Sequence, residues 1–222
     1  MIYTFNNKVM TKGGKWMGQQ STPPPGPVLP PFTIRAKFAS GYTPDMGHSQ
    51  TLVDAEQNIW DITENSTVWK ALFYGNMSLL EILGANTAGI TDMEEMFEFC
   101  TNLTVVPLFD TSLVTRMSYM FRDCSGLTTI PLFDTSSAKE MNWMFYNCSG
   151  LTTIPLFNTS SAKVMNYMFY NCTNVQSGAL ALYQQASTQA TPPTSHSRTF
   201  RNCGSNTTTG AAELAQIPST WK

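Results

Sequence analysis

Apolar residues recur through the middle of the chain with a fixed 24-residue period, most visibly at Cys100, Cys124, Cys148 and Cys172. Residues 117–140 and 141–164 are identical at 18 of 24 positions, and residues 93–116 follow the same frame. A degenerate copy occupies residues 69–92, and a further copy begins at Met165. Self-similarity at one period predicts a stack of structural repeats in which the atypical outer copies act as caps.

Each repeat contains two apolar spacings, which predict two elements. In the first half of residues 117–140, spacing of i, i+3, i+4 and i+7 predicts the buried face of a short helix. These residues are Met117, Met120, Phe121 and Cys124. The second half has the LxxIxL spacing typical of a leucine-rich-repeat strand, at Leu127, Ile130 and Leu132. We therefore predict an α/β solenoid, a leucine-rich-repeat-like stack of strand–turn–short-helix units.

The segments before the repeats predict a cap, a linker and a terminal peptide. Residues 32–38 alternate like a strand, and residues 51–63 could supply its partners, so a small β-rich N-terminal cap is expected over residues 32–68. The proline-rich residues 23–31 predict an extended linker. Residues 1–22 are interpreted either as a peptide that attaches the chain to a larger assembly or as a frayed tail.

The 24-residue frame ends near residue 172, so the repeats are assigned to residues 69–172. Residues 177–187 and 210–216 read as helices. Phe200-x-Asn202-Cys203 repeats the F-x-N-C element that ends at Cys172, at a 31-residue interval instead of the 24-residue one. Residues 173–222 are therefore predicted to form a helical C-terminal cap that contains a seven-residue insertion.

Charge and hydropathy disfavour several partners and locations. Charged residues are 13 % of the chain and the formal net charge is −2, so the basic excess of a nucleic-acid-binding surface is missing. No apolar run is long enough to span a membrane. Residues 1–20 show no signal-peptide pattern. We expect a virion surface or an extracellular or cell-surface location, reached through phage assembly or through a leader outside this sequence.

Catalytic and metal-binding motifs are not recognisable in the sequence. His48 and His196 lie far apart and beside no Ser or Cys motif, while Glu94 and Glu95 are adjacent at a predicted helix start and expected to face outward. The cysteines lack CxxC spacing, which argues against zinc. We predict a non-catalytic protein with no catalytic residues, no metal site and no cofactor.

Three columns of equivalent residues are explained by packing and turns. The cysteines and methionines of the repeats fall on the predicted inward stripe, where such side chains pack well. The column Asp110, Asp134 and Asn158 could suggest calcium, but its third member is neutral and each residue precedes Thr-Ser, a combination that favours turn capping.

The differences between the two best repeats locate the first candidate binding site. Four of the six differences fall on the predicted outward face of the short helix, where aromatic residues accumulate. Such residues could contact sugars or proteins, or could only stack on one another. The candidate residues are Tyr119, Arg122, Trp143, Tyr146, Tyr167 and Tyr170. The second candidate face comprises Phe109, Phe133 and Phe157.

The repeat M-x-x-M-F-x-x-C-x-x-L-T-x-I-P-L-F-D-T-S resembles the BspA-like leucine-rich repeats of bacterial surface proteins, in particular the branch known from mycoplasma lipoproteins. The resemblance is carried by Met120, Phe121, Cys124, Leu127, Ile130, Phe133, Asp134, Thr135 and Ser136 and their counterparts one period away on either side. It is strong over residues 69–176. It implies a surface protein that adheres to host proteins, to cells or to other bacteria. A looser likeness suggests carriage by a phage or prophage.

These patterns lead to two hypotheses for function. The first is a non-catalytic adhesion or receptor-binding module displayed on a phage virion or bacterial surface, binding a host protein or glycan. The alternative is a structural virion decoration or spacer protein that packs on sibling chains as a homo-oligomer. In both, residues 1–22 would attach the chain to the larger assembly.

Overall fold

A computed structural model describes residues 29–45 and 47–222, together with the backbone of three short strands nearer the N-terminus. These are β1 (Tyr3–Phe5), β2 (Lys8–Met10) and β3 (Trp16–Gln19), which pair antiparallel in the order β1-β2-β3. The roles predicted for residues 1–22 and 23–31, an attachment peptide and a linker, fall largely outside the described residues and stay predictions.

A second antiparallel sheet adjoins the first repeat. Its strands are β4 (Thr33–Phe38), β5 (Ser49–Asp54), β6 (Ile59–Thr63) and β7 (Leu79–Asn86), in the order β5-β6-β4-β7. Strand β4 is central and alternates, so that Ile34, Ala36 and Phe38 are buried. Between them, Arg35 pairs with Asp61 across the sheet at 2.7 Å.

Strand β7 joins this sheet to the repeats. It pairs antiparallel with β4 on one side. On its other side the Thr104 N–H donates to the Leu80 carbonyl at 2.8 Å, and Glu81 forms a parallel bridge with Val105. The degenerate first repeat, residues 69–92, is therefore partly sheet, and its strand gives the next repeat a backbone edge to pair with.

Successive repeats lie side by side and are joined by backbone hydrogen bonds. In the first half of each repeat, alternate N–H groups donate to carbonyls of the following repeat. Tyr119 donates to Asn142 at 3.0 Å, and Phe121 donates to Met144 at 2.9 Å. Parallel bridges between equivalent positions, such as Asp92 with Arg116, join successive repeats a second time. The assignment of this stack to the leucine-rich-repeat solenoids stays a prediction.

The predicted short helix of each repeat is wrong. The first eight residues of each repeat form consecutive turns, with i to i−3 bonds such as Arg122 N–H to the Tyr119 carbonyl at 3.0 Å. The third and seventh positions are left-handed, as at Tyr119 (φ 61°) and Asp123 (φ 60°). A left-handed residue cannot continue a right-handed helix and costs roughly 1–2 kcal/mol. The bonds to the neighbouring repeat offset that cost.

The predicted strand over the LxxIxL segment is also wrong, since residues 127–132 adopt no regular strand in the described structure. Pro131 lacks an N–H for a ladder. Its carbonyl instead accepts from the Phe133 N–H at 3.0 Å, which makes a tight turn centred on Leu132. Leu132, predicted to face inward, is 58 % exposed, whereas Phe133 is buried.

The interior is built from columns of identical side chains. The methionines and cysteines of the repeats from Met93 onward are buried, as predicted. The first phenylalanine of each repeat stacks on its counterparts at 5.2–6.0 Å between ring centroids, with ring planes within about 15° of parallel. This column is Phe73, Phe97, Phe121, Phe145, Phe169 and Phe200. Burial of each ring contributes about 1.5–3 kcal/mol to stability.

The cysteine column contributes hydrogen bonds as well as packing. The four thiols of the repeats each donate to the carbonyl of a phenylalanine in the preceding repeat, as Cys124 Sγ does to Phe97 at 3.0 Å and Cys148 does to Phe121 at 3.0 Å. All five cysteines are free. Burial raises the pKa of Cys100 to about 12, so this thiol stays protonated at neutral pH.

As expected, Asp134 and Thr135 cap the backbone turn that follows the tight turn centred on Leu132. Asp134 Oδ1 accepts from the Ser136 N–H at 2.9 Å, and the buried Thr135 hydroxyl donates to the Asn158 carbonyl at 2.7 Å. Asn158 accepts in the same way from the Ser160 N–H at 3.0 Å. The Asp and Asn side chains therefore cap a turn within their own repeat, and the Thr hydroxyl bonds to the backbone of the next repeat.

Helices close the C-terminal end of the stack. They are α1 (Ala179–Thr188), α2 (Thr208–Gln216) and a 3-10 turn (Ser219–Trp221). The predicted 31-residue interval is confirmed, because Val164 forms a parallel bridge with Ser195 and Phe200 stacks on Phe169. Trp221 then packs against Phe200 at 6.2 Å and ends the column.

Candidate binding surface

The six side chains of the first candidate site lie together on one flank of the repeats. Their equivalent positions in successive repeats form two adjacent columns, and all six are half-buried. One column is Tyr119, Trp143 and Tyr167, and the other is Arg122, Tyr146 and Tyr170. We call this set the aromatic surface. Its residues were grouped correctly from the sequence, while its role in binding stays a prediction.

The rings of each column are nearly parallel and cover one another. Trp143 lies 4.2 Å from Tyr167 and 6.0 Å from Tyr119, with interplanar angles of 18° and 13°. Tyr146 lies 4.9 Å from Tyr170 at 11°. A partner can therefore reach ring edges more readily than ring faces. Within the described chain, no hydrogen bond engages the hydroxyls of Tyr119, Tyr146 and Tyr170 or the indole N–H of Trp143.

Arg122 is the first residue of the second column and is held by the carboxylates of Glu98 and Asp123. Its Nη1 donates to Glu98 Oε1 at 2.9 Å, and its Nε lies 3.2 Å from Asp123 Oδ2. The guanidinium carbon is 5.5 Å from the Trp143 ring and 5.6 Å from the Tyr146 ring, within the range of cation–π attraction. Arg122 thus positions the rings and is not a free cation for an anionic ligand.

The end of this flank nearer the N-terminus is acidic. Glu94 was predicted to face outward, but it is buried and is held by Lys70 at 3.0 Å and by Arg116. Glu98 is also buried, and this burial raises its pKa despite the nearby charge of Arg122. These carboxylates are ion-paired within the stack, an arrangement that suits structure better than acid–base catalysis.

The second candidate face is contradicted by the structure. Phe109, Phe133 and Phe157 are at most 3 % exposed and form a second ring column against the first, with Phe133 lying 6.0 Å from Phe121. The tight turn after each proline directs these rings inward. They contribute to the core and cannot contact a partner directly.

An exposed leucine column was missed by sequence reasoning. Leu108, Leu132 and Leu156 precede those phenylalanines and are 65 %, 58 % and 53 % exposed. Their regular spacing was visible in the sequence, but the strand pattern assigned one of them, Leu132, to the interior. Aligned exposed leucines are an apolar feature that marks contact sites more often than isolated ones do.

Neither a metal site nor a membrane span is found among the described residues. No group of three or more His, Cys, Asp or Glu side chains is arranged there to hold a metal ion. No helix in that part of the chain has the length and apolar character to cross a bilayer.

Comparison with known proteins shows a family relationship. The family described as "Mycoplasma protein of unknown function, DUF285" matches residues 54–182. No curated protein and no solved structure matches the chain. The matched residues run from β5 through the repeats into α1, so they include the aromatic surface and the leucine column. Because the match covers more than half of the chain, the protein belongs to this BspA-like family.

Proposed function

We propose that the protein is a non-catalytic binding module that recognises a host protein or glycan through the aromatic surface. The observation that carries this proposal is the contiguity of five half-buried aromatic rings and one arginine over three successive repeats. Tyrosine, tryptophan and arginine are the residues that most often dominate binding energy. The hydroxyls of Tyr119, Tyr146 and Tyr170 and the indole N–H of Trp143, which make no hydrogen bond within the described chain, could pair with a partner.

The rigidity of this surface favours recognition. The N–H groups of Tyr119 and Trp143 donate to the following repeat, and that of Tyr167 donates to Ser197 in the C-terminal cap, at 2.9–3.0 Å. Rings already ordered in the free protein lose little conformational entropy when a partner binds. We further propose display on a virion or on a bacterial surface, which the surface-type character of the BspA-like family supports.

The test uses the triple variant Tyr119→Ala, Trp143→Ala and Tyr146→Ala in the full-length chain. Binding of fluorescently labelled protein to a panel of intact bacterial and epithelial cells is measured by flow cytometry. We expect the apparent Kd to rise at least about thirtyfold, the effect of losing one strong hot spot of about 2 kcal/mol.

The matched control is the double variant Leu52→Ala with Leu113→Ala, which truncates exposed side chains outside both the aromatic surface and the leucine column. This control should bind as the wild type does. Wild-type affinity in a folded aromatic triple variant would refute the assignment of the surface.

A second candidate function, a spacer or decoration protein packing on sibling chains, is favoured by the leucine column. Burying three exposed leucines against another copy would remove apolar area from water at about 25 cal/mol per Å². We expect such a chain to sediment as a multiple of the monomer mass, and the triple variant Leu108→Ala, Leu132→Ala and Leu156→Ala to sediment as a monomer. A wild-type chain that is monomeric at high concentration would exclude this candidate.

A further inference from the structure

A groove of about 580 Å³, lined mainly by polar residues, runs across repeats next to the aromatic surface. One wall is formed by equivalent positions of successive repeats, Phe99, Asp123, Asn147 and Asn171. The opposite wall is formed in the same way by Thr101, Ser125, Ser149 and Thr173. The groove thus offers the same pair of side-chain positions once per repeat.

The first wall carries a ladder of side-chain hydrogen bonds. Asn147 Nδ2 donates to Asp123 Oδ1 at 2.8 Å, Asn171 Nδ2 donates to Asn147 Oδ1 at 3.0 Å, and Asn202 Nδ2 donates to Asn171 Oδ1 at 2.8 Å. A primary amide has two N–H donors and two carbonyl lone pairs. The ladder uses one of each at Asn147 and Asn171, so both amides keep a donor and an acceptor.

The opposite wall carries hydroxyls that the fold does not use. Within the described chain, the hydroxyls of Thr101, Ser125, Ser149 and Thr173 make no hydrogen bond to another protein group. This contrasts with the buried Thr135, whose hydroxyl bonds to the next repeat. Backbone pairing places neighbouring repeats about 4.8 Å apart, so these groups form an evenly spaced row of donors and acceptors.

The charges around the groove select against an anionic ligand. Asp123 contributes a negative charge to the first wall, and the adjacent Arg122 is already paired with Asp123 and Glu98. An apolar peptide side chain would also be disfavoured, because it would cover unpaired amides and hydroxyls without bonding to them. A neutral molecule rich in hydroxyl groups satisfies both conditions.

We propose that this groove binds a neutral glycan, with sugar hydroxyls pairing to the amides of Asn147 and Asn171 and to the opposing serines. The Phe99 ring at one end offers an apolar contact for the C–H groups of a sugar. An extended glycan lying along the groove meets equivalent partners at each repeat. The inference rests on the proposed binding function and names the ligand class for a site beside the aromatic surface.

The test probes the full-length chain on an array of neutral, sialylated and sulfated oligosaccharides. We expect binding to neutral structures only. The variant Ser125→Ala with Ser149→Ala should bind them about tenfold more weakly, because two hydrogen bonds are lost. Ser149→Leu, which fills the groove, should abolish binding. The control Ser160→Ala with Ser219→Ala changes exposed serines outside the groove lining and should bind normally.

Three results would overturn the proposal: no neutral glycan retained, preference for sialylated or sulfated structures, or unchanged affinity in both groove variants. Cell binding separates this outcome from failure of the proposed function. If the chain binds cells through the aromatic surface but retains no glycan, the proposed function stands and the groove proposal fails. If the wild-type chain binds glycans and the aromatic triple variant still binds cells normally, the groove proposal stands. The proposed role of the aromatic surface is then refuted.

Discussion

Phe121→Ala is expected to lower the free energy of unfolding by about 3–5 kcal/mol, the usual range for truncating a buried aromatic ring. The Phe121 ring is fully buried and stacks on Phe97 at 5.2 Å and on Phe145 at 5.4 Å, with Phe133 at 6.0 Å. Its removal leaves a cavity in the middle of the column. Because both neighbouring repeats lose a contact, the stack cannot close the gap from one side.

Urea unfolding followed by tryptophan fluorescence and circular dichroism measures this loss. The control is Tyr170→Ala, which removes a half-buried ring from the flank and should cost at most about 1.5 kcal/mol. If Phe121→Ala cost no more than Tyr170→Ala, the phenylalanine column would not be the interior on which stacking depends.

The interior columns could be predicted from the sequence because burial is set by position within the 24-residue period. Met120, Phe121 and Cys124 recur at the same positions of the repeats from Met93 onward. A position that is buried in one of these repeats is therefore buried in the others. The same regularity grouped Tyr119 with Trp143 and Tyr167 on one flank. Neither result required knowledge of the backbone conformation.

The backbone conformation itself could not be predicted from that spacing. Apolar residues at i, i+3, i+4 and i+7 share a face in a helix, and the structure shows that consecutive turns can place them on one face too. The deciding feature is the left-handed backbone at Tyr119, Trp143 and Tyr167, residue types that give no signal for it. Only Asp123 and Asn147 gave a signal for the turns, because Asp and Asn are enriched in the left-handed conformation.

Adjacent apolar residues posed the second difficulty. Leu132 and Phe133 both fit an inward position, and a tight turn at Pro131 decides between them. The orientation of the rings on the aromatic surface could not be predicted from the sequence either. The same residue pattern fits stacked rings that expose their edges and separate rings that expose their faces. The amide and hydroxyl walls of the groove were overlooked because polar residues in turns carry no periodic hydrophobic signal.

Gly178→Ala is expected to lower the free energy of unfolding by about 2–5 kcal/mol and to loosen the C-terminal cap. Gly178 caps the start of α1 with φ 102°, where an L-residue costs roughly 1–2 kcal/mol. An added Cβ would also lie 2.1 Å from the Ile154 carbonyl oxygen and 3.1 Å from Ile154 Cβ. This clash is relieved only if the helix moves away from the last full repeat. Such overpacking costs about 1–3 kcal/mol in addition to the backbone cost.

Gly41→Ala separates the two causes. Gly41 has φ 79°, but an added Cβ there meets no atom within 4 Å, so only the backbone cost of about 1–2 kcal/mol applies. Urea unfolding gives the total loss for each variant, and hydrogen exchange shows where it falls. In Gly178→Ala we expect faster exchange in α1 and in the adjoining residues 152–157, because the interior at that end loses its cover. Equal losses in the two variants would mean that α1 does not press on Ile154.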